Sequence, residues 1–315
     1  MRKRYLSALP LIVGTGTLGA MEMTKSFINR SPNPSPETTD RDNEHWPEGY
    51  TDFRNEGIEY ALKARKQSYE VIHITSKDGY DLSAYLFRAK ENNDKVVVSC
   101  HGYHGWGLFD MARYLPMYEK AGLDALIICQ RAHEGSEGKY ITFGAKEQED
   151  VILWCNKLIE LYGENVEIVL HGVSMGGATV CLASGNDNLP SQVKCTVSDC
   201  AYESMEKQAE TSLNTPSFLI KPALSAISFW TKRLAGFSVR ECAPIEAVKK
   251  ARVPMLFIHG TADTFVPFEM ADHIYDACTS EKEKLYIKGA VHAASYTTDP
   301  DTYTKTFLSF TEKYL

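Results

Sequence analysis

The pentapeptide Gly172-Val173-Ser174-Met175-Gly176 holds one serine between glycines, directly after the apolar run "VEIVLHG". Glycines two residues to either side let a chain bend sharply from a strand into a helix, with the serine at the apex of a strained turn. A hydroxyl presented this way is a nucleophile for acyl transfer once a base takes its proton. The expected base is His292 in "KGAVHAAS", which follows the last predicted strand and precedes the last predicted helix. An imidazole in that role needs an acid to fix its tautomer. Asp263, in "HGTADTFVP", sits in the chain order Ser, Asp, His that suits a strand-turn-helix nucleophile. Asp199, at the end of "VKCTVSD", is the alternative acid and otherwise a structural residue.

Two further apolar runs, "VVVSCHG" and "PMLFIHG", end in the same His-Gly dipeptide as the serine strand. The first leads into "HGYHGWG", whose Tyr103 backbone N–H is expected to join that of Met175 around the oxyanion of a tetrahedral intermediate. The third leads to Asp263. His101, His171 and His259 stand at the three strand ends and are expected to pack or hydrogen-bond locally. Substrate contacts are expected from His104, Trp106, Phe218, Phe229 and Trp230, although the last three suit packing equally well. Glu203 and Glu206 are the acids available to hold a substrate ammonium group, if the substrate is a peptide; otherwise they are solvated charges.

These groups must be brought to one place by the elements between them. "YEVIHIT" and "LSAYLFRA" flank Lys77-Asp78-Gly79-Tyr80, a hairpin signal. "KVVVSC" at 95–100 is a continuous β-branched run, as in a strand buried on both faces of a parallel sheet. Beyond it strands and helices alternate: a helix near 109–121, a strand at 124–130, a helix at 145–162, the serine strand and a helix at 176–185. Strands at 193–199, 254–260 and 283–289 and a final helix at 300–314 complete the pattern. Such alternation predicts an α/β fold with a mostly parallel central sheet and helices on both faces. Ligands bind such sheets beyond the carboxyl ends of the strands, where all three His-Gly pairs fall. Residues 203–244 break the alternation and are expected to form a helical lid.

A formal charge of −7 argues against a nucleic-acid partner, since the phosphate backbone rewards clustered Lys and Arg. The eight cysteines lie in apolar segments without a C-x-x-C pair, so core packing is expected; export would permit a disulfide. No metal or cofactor is implied. Gly14-Thr-Gly16-Thr-Leu-Gly19 fits a dinucleotide fingerprint, but the Pro/Ser/Asp-rich stretch after it does not supply the required second strand. Arg2-Lys3-Arg4 followed by an uncharged run to Met21 has the form of a signal peptide or membrane anchor. The expected division is an exported leader or anchor at 1–30, a linker at 31–47 and a catalytic domain at 48–315; a cytoplasmic location is the alternative.

With these residues in view, the chain resembles the α/β-hydrolase superfamily over residues 60–315. It is most similar to bacterial hydrolases grouped with serine aminopeptidases and monoglyceride lipases, some of them N-terminally anchored. The matching stretches are "HGYHG", "CQRAHEGSEGKYITFG", "LHGVSMGGATV", "SDCAYES", "IHGTADTFVPFEM" and "KGAVHAASY". The resemblance implies a triad of Ser174, Asp263 and His292, an oxyanion hole of Tyr103 and Met175, and a lid over 203–244. One loop departs from the family's usual Arg-Gly-His-Gly and reads Arg131-Ala132-His133-Glu134. The expected function is hydrolysis of a small carboxylic ester with an apolar acyl or aromatic group; a peptidase and a non-catalytic binding protein are the alternatives.

Overall fold

The computed structural model describes residues 16–31, 50–90, 94–213 and 217–315. Eight strands form one sheet: β1 (Glu70–Thr75), β2 (Asp81–Phe87), β3 (Lys95–Cys100), β4 (Asp124–Ile128), β5 (Glu167–Val173), β6 (Val193–Asp199), β7 (Met255–Gly260) and β8 (Lys282–Ile287). Their spatial order is β1-β2-β4-β3-β5-β6-β7-β8. The hairpin of β1 and β2 joins β4 antiparallel, and every pairing from β4 to β8 is parallel. The direction of winding reverses at β3, which lies between β4 and β5. In an open sheet the crevice beside such a reversal is the favoured ligand site. The register places Cys100 opposite Gly172, Val173 opposite Asp199 and Asp199 opposite Ile258, so the three His-Gly ends emerge along one edge.

The helices are α1 (Gly16–Ile28), α2 (Tyr50–Ala64), α3 (Gly107–Met111), α4 (Leu115–Lys120), α5 (Glu147–Tyr162), α6 (Met175–Ser184), α7 (Met205–Leu213), α8 (Ser217–Ala235), α9 (Pro244–Ala247), α10 (Glu269–Ala277), α11 (Ser295–Thr298) and α12 (Pro300–Thr311). Side chains alternate across each strand, which makes two cores. Val97, Ile127, Val169, Val197 and Leu256 pack toward Tyr118, Tyr303 and Phe307 on one face. Val96, Val98, Leu126, Ile168 and Leu170 pack toward Trp154, Leu158 and Val180 on the other. All eight cysteines are buried and unpaired.

The alternating pattern expected from the sequence is what the chain adopts, with the helix expected near 109–121 divided into α3, a 3-10 turn and α4. The stretch expected as a leader or anchor, 1–30, holds α1 among its described residues; α1 lies against α8 and its Ala20, Thr24 and Ile28 are buried. Gly16 and Gly19 fall in its first turn. Among the described residues no helix is long and apolar enough to cross a membrane. Residues 1–15, and the expected linker beyond Ser31 as far as 47, lie outside the described residues. The insertion at 203–244 holds α7, α8 and a 3-10 turn at Val239–Glu241.

Candidate active site

Ser174 stands between β5 and α6 with φ 57° and ψ −118°, a backbone region that costs a residue with a Cβ roughly 1–3 kcal/mol. Its N–H donates to the Asp199 carbonyl at 2.9 Å, which anchors the bend to the neighbouring strand. The flanking glycines answer to close backbone approach. A Cβ on Gly172 would lie 2.2 Å from the Gly176 oxygen, and one on Gly176 would lie 2.1 Å from the Cys100 oxygen. Neither position has room for a side chain, because α6 leaves the bend directly over β3 and β5.

The loop after β8 brings His292 across the sheet edge, where its Nε2 lies 2.8 Å from Ser174 Oγ. Its Nδ1 lies 2.7 Å from Asp263 Oδ2. Asp263 is 5% exposed, and its Oδ1 accepts the Phe265 and Val266 backbone N–H groups, each at 2.9 Å. Burial alone would push its carboxyl upward. The charge of His292 and hydrogen bonds from His259 and His292 outweigh that and hold it well below the usual carboxylate range. Three side chains far apart in sequence are therefore in hydrogen-bonded series, and Asp199 is not part of it. The Asp199 carboxylate instead accepts Ser295 Oγ at 3.0 Å.

The histidines of the three His-Gly pairs are wholly buried, and each spans to another element. His101 Nε2 accepts the Gln130 N–H at 3.0 Å, which leaves Nδ1 to donate to the Gly102 carbonyl at 2.8 Å. His171 lies between two phenols, with Tyr118 OH 2.5 Å from Nδ1 and Tyr303 OH 2.9 Å from Nε2. Burial pushes His101 down to about 4 and His171 down to about 3, so both are neutral at ordinary pH. His259 Nε2 donates to the Val266 carbonyl at 2.9 Å and lies 3.2 Å from Asp263 Oδ2. It is a second imidazole on the acid, which the sequence did not mark.

The loop after β3 passes against the serine: a Cβ on Gly102 would be 3.5 Å from Ser174 Cβ. Tyr103 and Met175 belong to one buried cluster with Ile28, Phe143, Phe237 and Cys242. Met175 is the first residue of α6, so its N–H is not needed by the helix ladder. The His104 ring lies tilted against that of Tyr103, with centroids 4.0 Å apart. Trp106 is buried, its ring edge-on to that of Phe109. Phe229 is 61% exposed and packs edge-on against the half-buried Trp230. The side chain of Phe218 lies outside the described residues. The insertion reaches the cluster around Met175 through Met205, Phe237 and Cys242. Phe265, on the acid loop, adds a ring 4.9 Å from that of His292.

The acids weighed for a substrate ammonium are already engaged. Glu203 is bonded to His273 Nδ1, and Glu206 accepts Arg240 Nε at 3.2 Å. In the loop that departs from the family's glycines, Ala132 and Glu134 keep left-handed backbones, with φ 59° and 37°. The Glu134 carboxylate offsets part of that strain by accepting Gly107 N–H at 2.8 Å and Tyr85 OH at 3.0 Å.

Known proteins share this fold. The chain is 28% identical over 245 residues to the YqkD protein of Bacillus subtilis strain 168, covering 75% of this chain and 77% of that one. Its fold is similar to that of the esterase Pf2001 of Pyrococcus furiosus, with a TM-score of 0.66 at 20% identity, covering 91% of this chain and 98% of the other. It is also similar to the acylaminoacyl peptidase of Pyrococcus horikoshii, with a TM-score of 0.57 at 17% identity, over 81% of this chain and 43% of that one. The pattern of the prolyl oligopeptidase family matches residues 139–315, the stretch that carries Ser174, Asp263 and His292. With that match spanning more than half of its length, the chain belongs to the prolyl oligopeptidase family and has the α/β-hydrolase fold.

Proposed function

We propose that the protein is a serine hydrolase that cleaves a carboxylic ester through an acyl-enzyme. The observation that carries this reading is the continuous series from Ser174 Oγ to His292 at 2.8 Å and from His292 to Asp263 at 2.7 Å. His292 Nε2 takes the hydroxyl proton as Ser174 Oγ attacks the ester carbonyl, and Asp263 stabilises the imidazolium that forms. The N–H groups of Tyr103 and Met175 receive the developing oxyanion. The imidazolium then protonates the leaving alkoxide. Water, deprotonated by the same ring, releases the acid from the acyl-enzyme.

Tyr103, Phe143, Phe237 and Phe265 make the surroundings of the serine aromatic, which supports an apolar acyl or aromatic group. The insertion at 203–244 serves as the lid. Its Gln208 Nε2 donates to the Phe265 carbonyl at 2.7 Å, tying the insertion to the acid loop. Because Phe229 faces solvent, Phe229→Ala is expected to leave the acyl-chain preference for p-nitrophenyl esters unchanged, as kcat/KM across chain lengths will show. The family name favours a second reading, hydrolysis of a peptide bond.

A panel of p-nitrophenyl esters against aminoacyl p-nitroanilides decides between the two. Turnover of the esters with little of the anilides is expected, and the reverse makes the protein a peptidase. A fluorophosphonate probe tests catalysis itself: the adduct is expected on Ser174 by peptide mass mapping. Absence of any adduct on the folded protein would leave a binding protein on a hydrolase fold.

A further inference from the structure

Seven described non-glycine residues have positive φ: His104, Ala132, Glu134, Phe143, Ser174, Cys200 and Ala293. Three of them lie at the candidate active site or beside it. The other four lie in two loops, 102–107 and 131–143, and both loops are held by the same short piece of chain. Tyr103 OH donates to the Phe27 carbonyl at 2.7 Å, and the Ile141 N–H donates to the Ile28 carbonyl at 2.6 Å. Arg30 N–H donates to the Lys139 carbonyl and Ser31 N–H to the Ala132 carbonyl. The Arg30 guanidinium spans the strained turn, bonding the carbonyls of Glu134 and Ser136, each at 2.6 Å. Ile28 is 1% exposed within the cluster that contains Tyr103 and Met175.

Left-handed backbones at residues with a Cβ persist only where surrounding structure holds them. Here the N-terminal segment supplies part of the hold, beside the Glu134 carboxylate and the Tyr202 hydroxyl. We propose that residues 16–31 are a working part of the active site, keeping Tyr103 and its loop in register with Ser174 so that its N–H meets the oxyanion. The inference rests on the serine-hydrolase reading above, and it makes Phe27, Ile28 and Arg30 positioning residues. A chain cut after residue 30 would lose the Phe27, Ile28 and Arg30 contacts, so such a chain is expected to be poorly active.

The test uses the full-length chain. Tyr103→Phe removes only the hydroxyl bonded to Phe27. It is expected to lower kcat for p-nitrophenyl butyrate about tenfold with KM within about twofold, the split expected of an interaction made in the transition state. Ile28→Asp undocks the segment and is expected to lower kcat about 10- to 100-fold. Hydrogen exchange is expected to quicken in both 16–31 and 101–107. Adding Tyr103→Phe to Ile28→Asp is expected to change kcat by less than about twofold, because the bond is already gone. The proposal is overturned if exchange shows 16–31 released while kcat is retained, or if the two effects multiply. Should Ile28→Asp not fold, Ile28→Ser takes its place in the same cycle with the same criteria. If wild-type protein reacts with neither ester nor fluorophosphonate, the hydrolase reading fails. Linked exchange of 16–31 and 101–107 then still decides whether the segment holds the loop.

Discussion

Asp263→Asn is expected to lower kcat for ester hydrolysis by about four orders of magnitude, with KM changed little. The reason is a proton in the wrong place. The Asp263 Oδ1 position accepts the Phe265 and Val266 N–H groups, so an asparagine oxygen settles there. Its NH2 group then occupies the Oδ2 position, 2.7 Å from His292 Nδ1. An amide donor facing Nδ1 forces the imidazole proton onto Nε2, the atom that must accept the Ser174 proton. The same NH2 faces the His259 Nε2–H, a donor against a donor. Asp263 has a depressed pKa in the fold, so its charge stabilises the protein above the usual carboxylate range and that benefit fades as pH falls below it. The variant is therefore also less stable at neutral pH, and kcat must be measured per folded molecule, by far-UV circular dichroism at the assay temperature. A kcat within tenfold of wild type would remove Asp263 from the acid role.

The residues of this site were legible because each lies where local pattern and fold topology coincide. The run "VEIVLHG" followed by G-x-S-x-G states a buried strand, a bend and a helix in a dozen residues, and the bend leaves no room at Gly172 or Gly176. Asp263 and His292 follow strands that the apolar runs announce, and parallel pairing must bring their carboxyl ends together. The choice between Asp263 and Asp199 was open in the sequence, since both end such strands. Three-dimensional reach separates them: Asp199 is turned to Ser295 and Asp263 to His292. Contacts with no local signature were not legible. Nothing in "MTKSFINR" says that its Phe27 carbonyl will receive the hydroxyl of Tyr103, and a basic, apolar N-terminus reads as a leader whatever it packs against. The same limit applies to the aromatics of α8. Phe229 suits a substrate contact by its type, and only the packing of α1 against that helix shows which face is turned outward.

Asp199→Asn is expected to make the protein more stable at pH 7 and less active. Asp199 is wholly buried beneath the serine bend, and burial pushes its carboxyl up to about 6; the charge of His259 and the bond from Ser295 restrain it from going further. In the unfolded chain the same group ionises near 3.8. Between about pH 4 and pH 6 the native state therefore binds a proton that the unfolded state has released, so stability falls as pH rises through that window. The shift of about two pKa units corresponds to about 3 kcal/mol at pH 7, the cost of keeping this carboxylate charged. Asparagine has the shape of the neutral acid, and its oxygen can accept the Ser295 hydroxyl as the carboxylate does. Urea unfolding of both proteins is expected to show little difference at pH 4 and a variant advantage approaching this value at pH 7. Asp110, pushed up to about 7 by its own burial, contributes a slope of the same sign to both proteins and cancels in the comparison. The buried charge attracts a protonated His292, so in the proposed mechanism it helps stabilise the imidazolium that forms as the serine attacks. Removing it is expected to lower kcat severalfold while Tm rises, a trade of stability for activity. A pH-independent difference in stability would show that the Asp199 charge costs the fold nothing, and a variant with higher stability and undiminished kcat would deny that charge any part in the reaction.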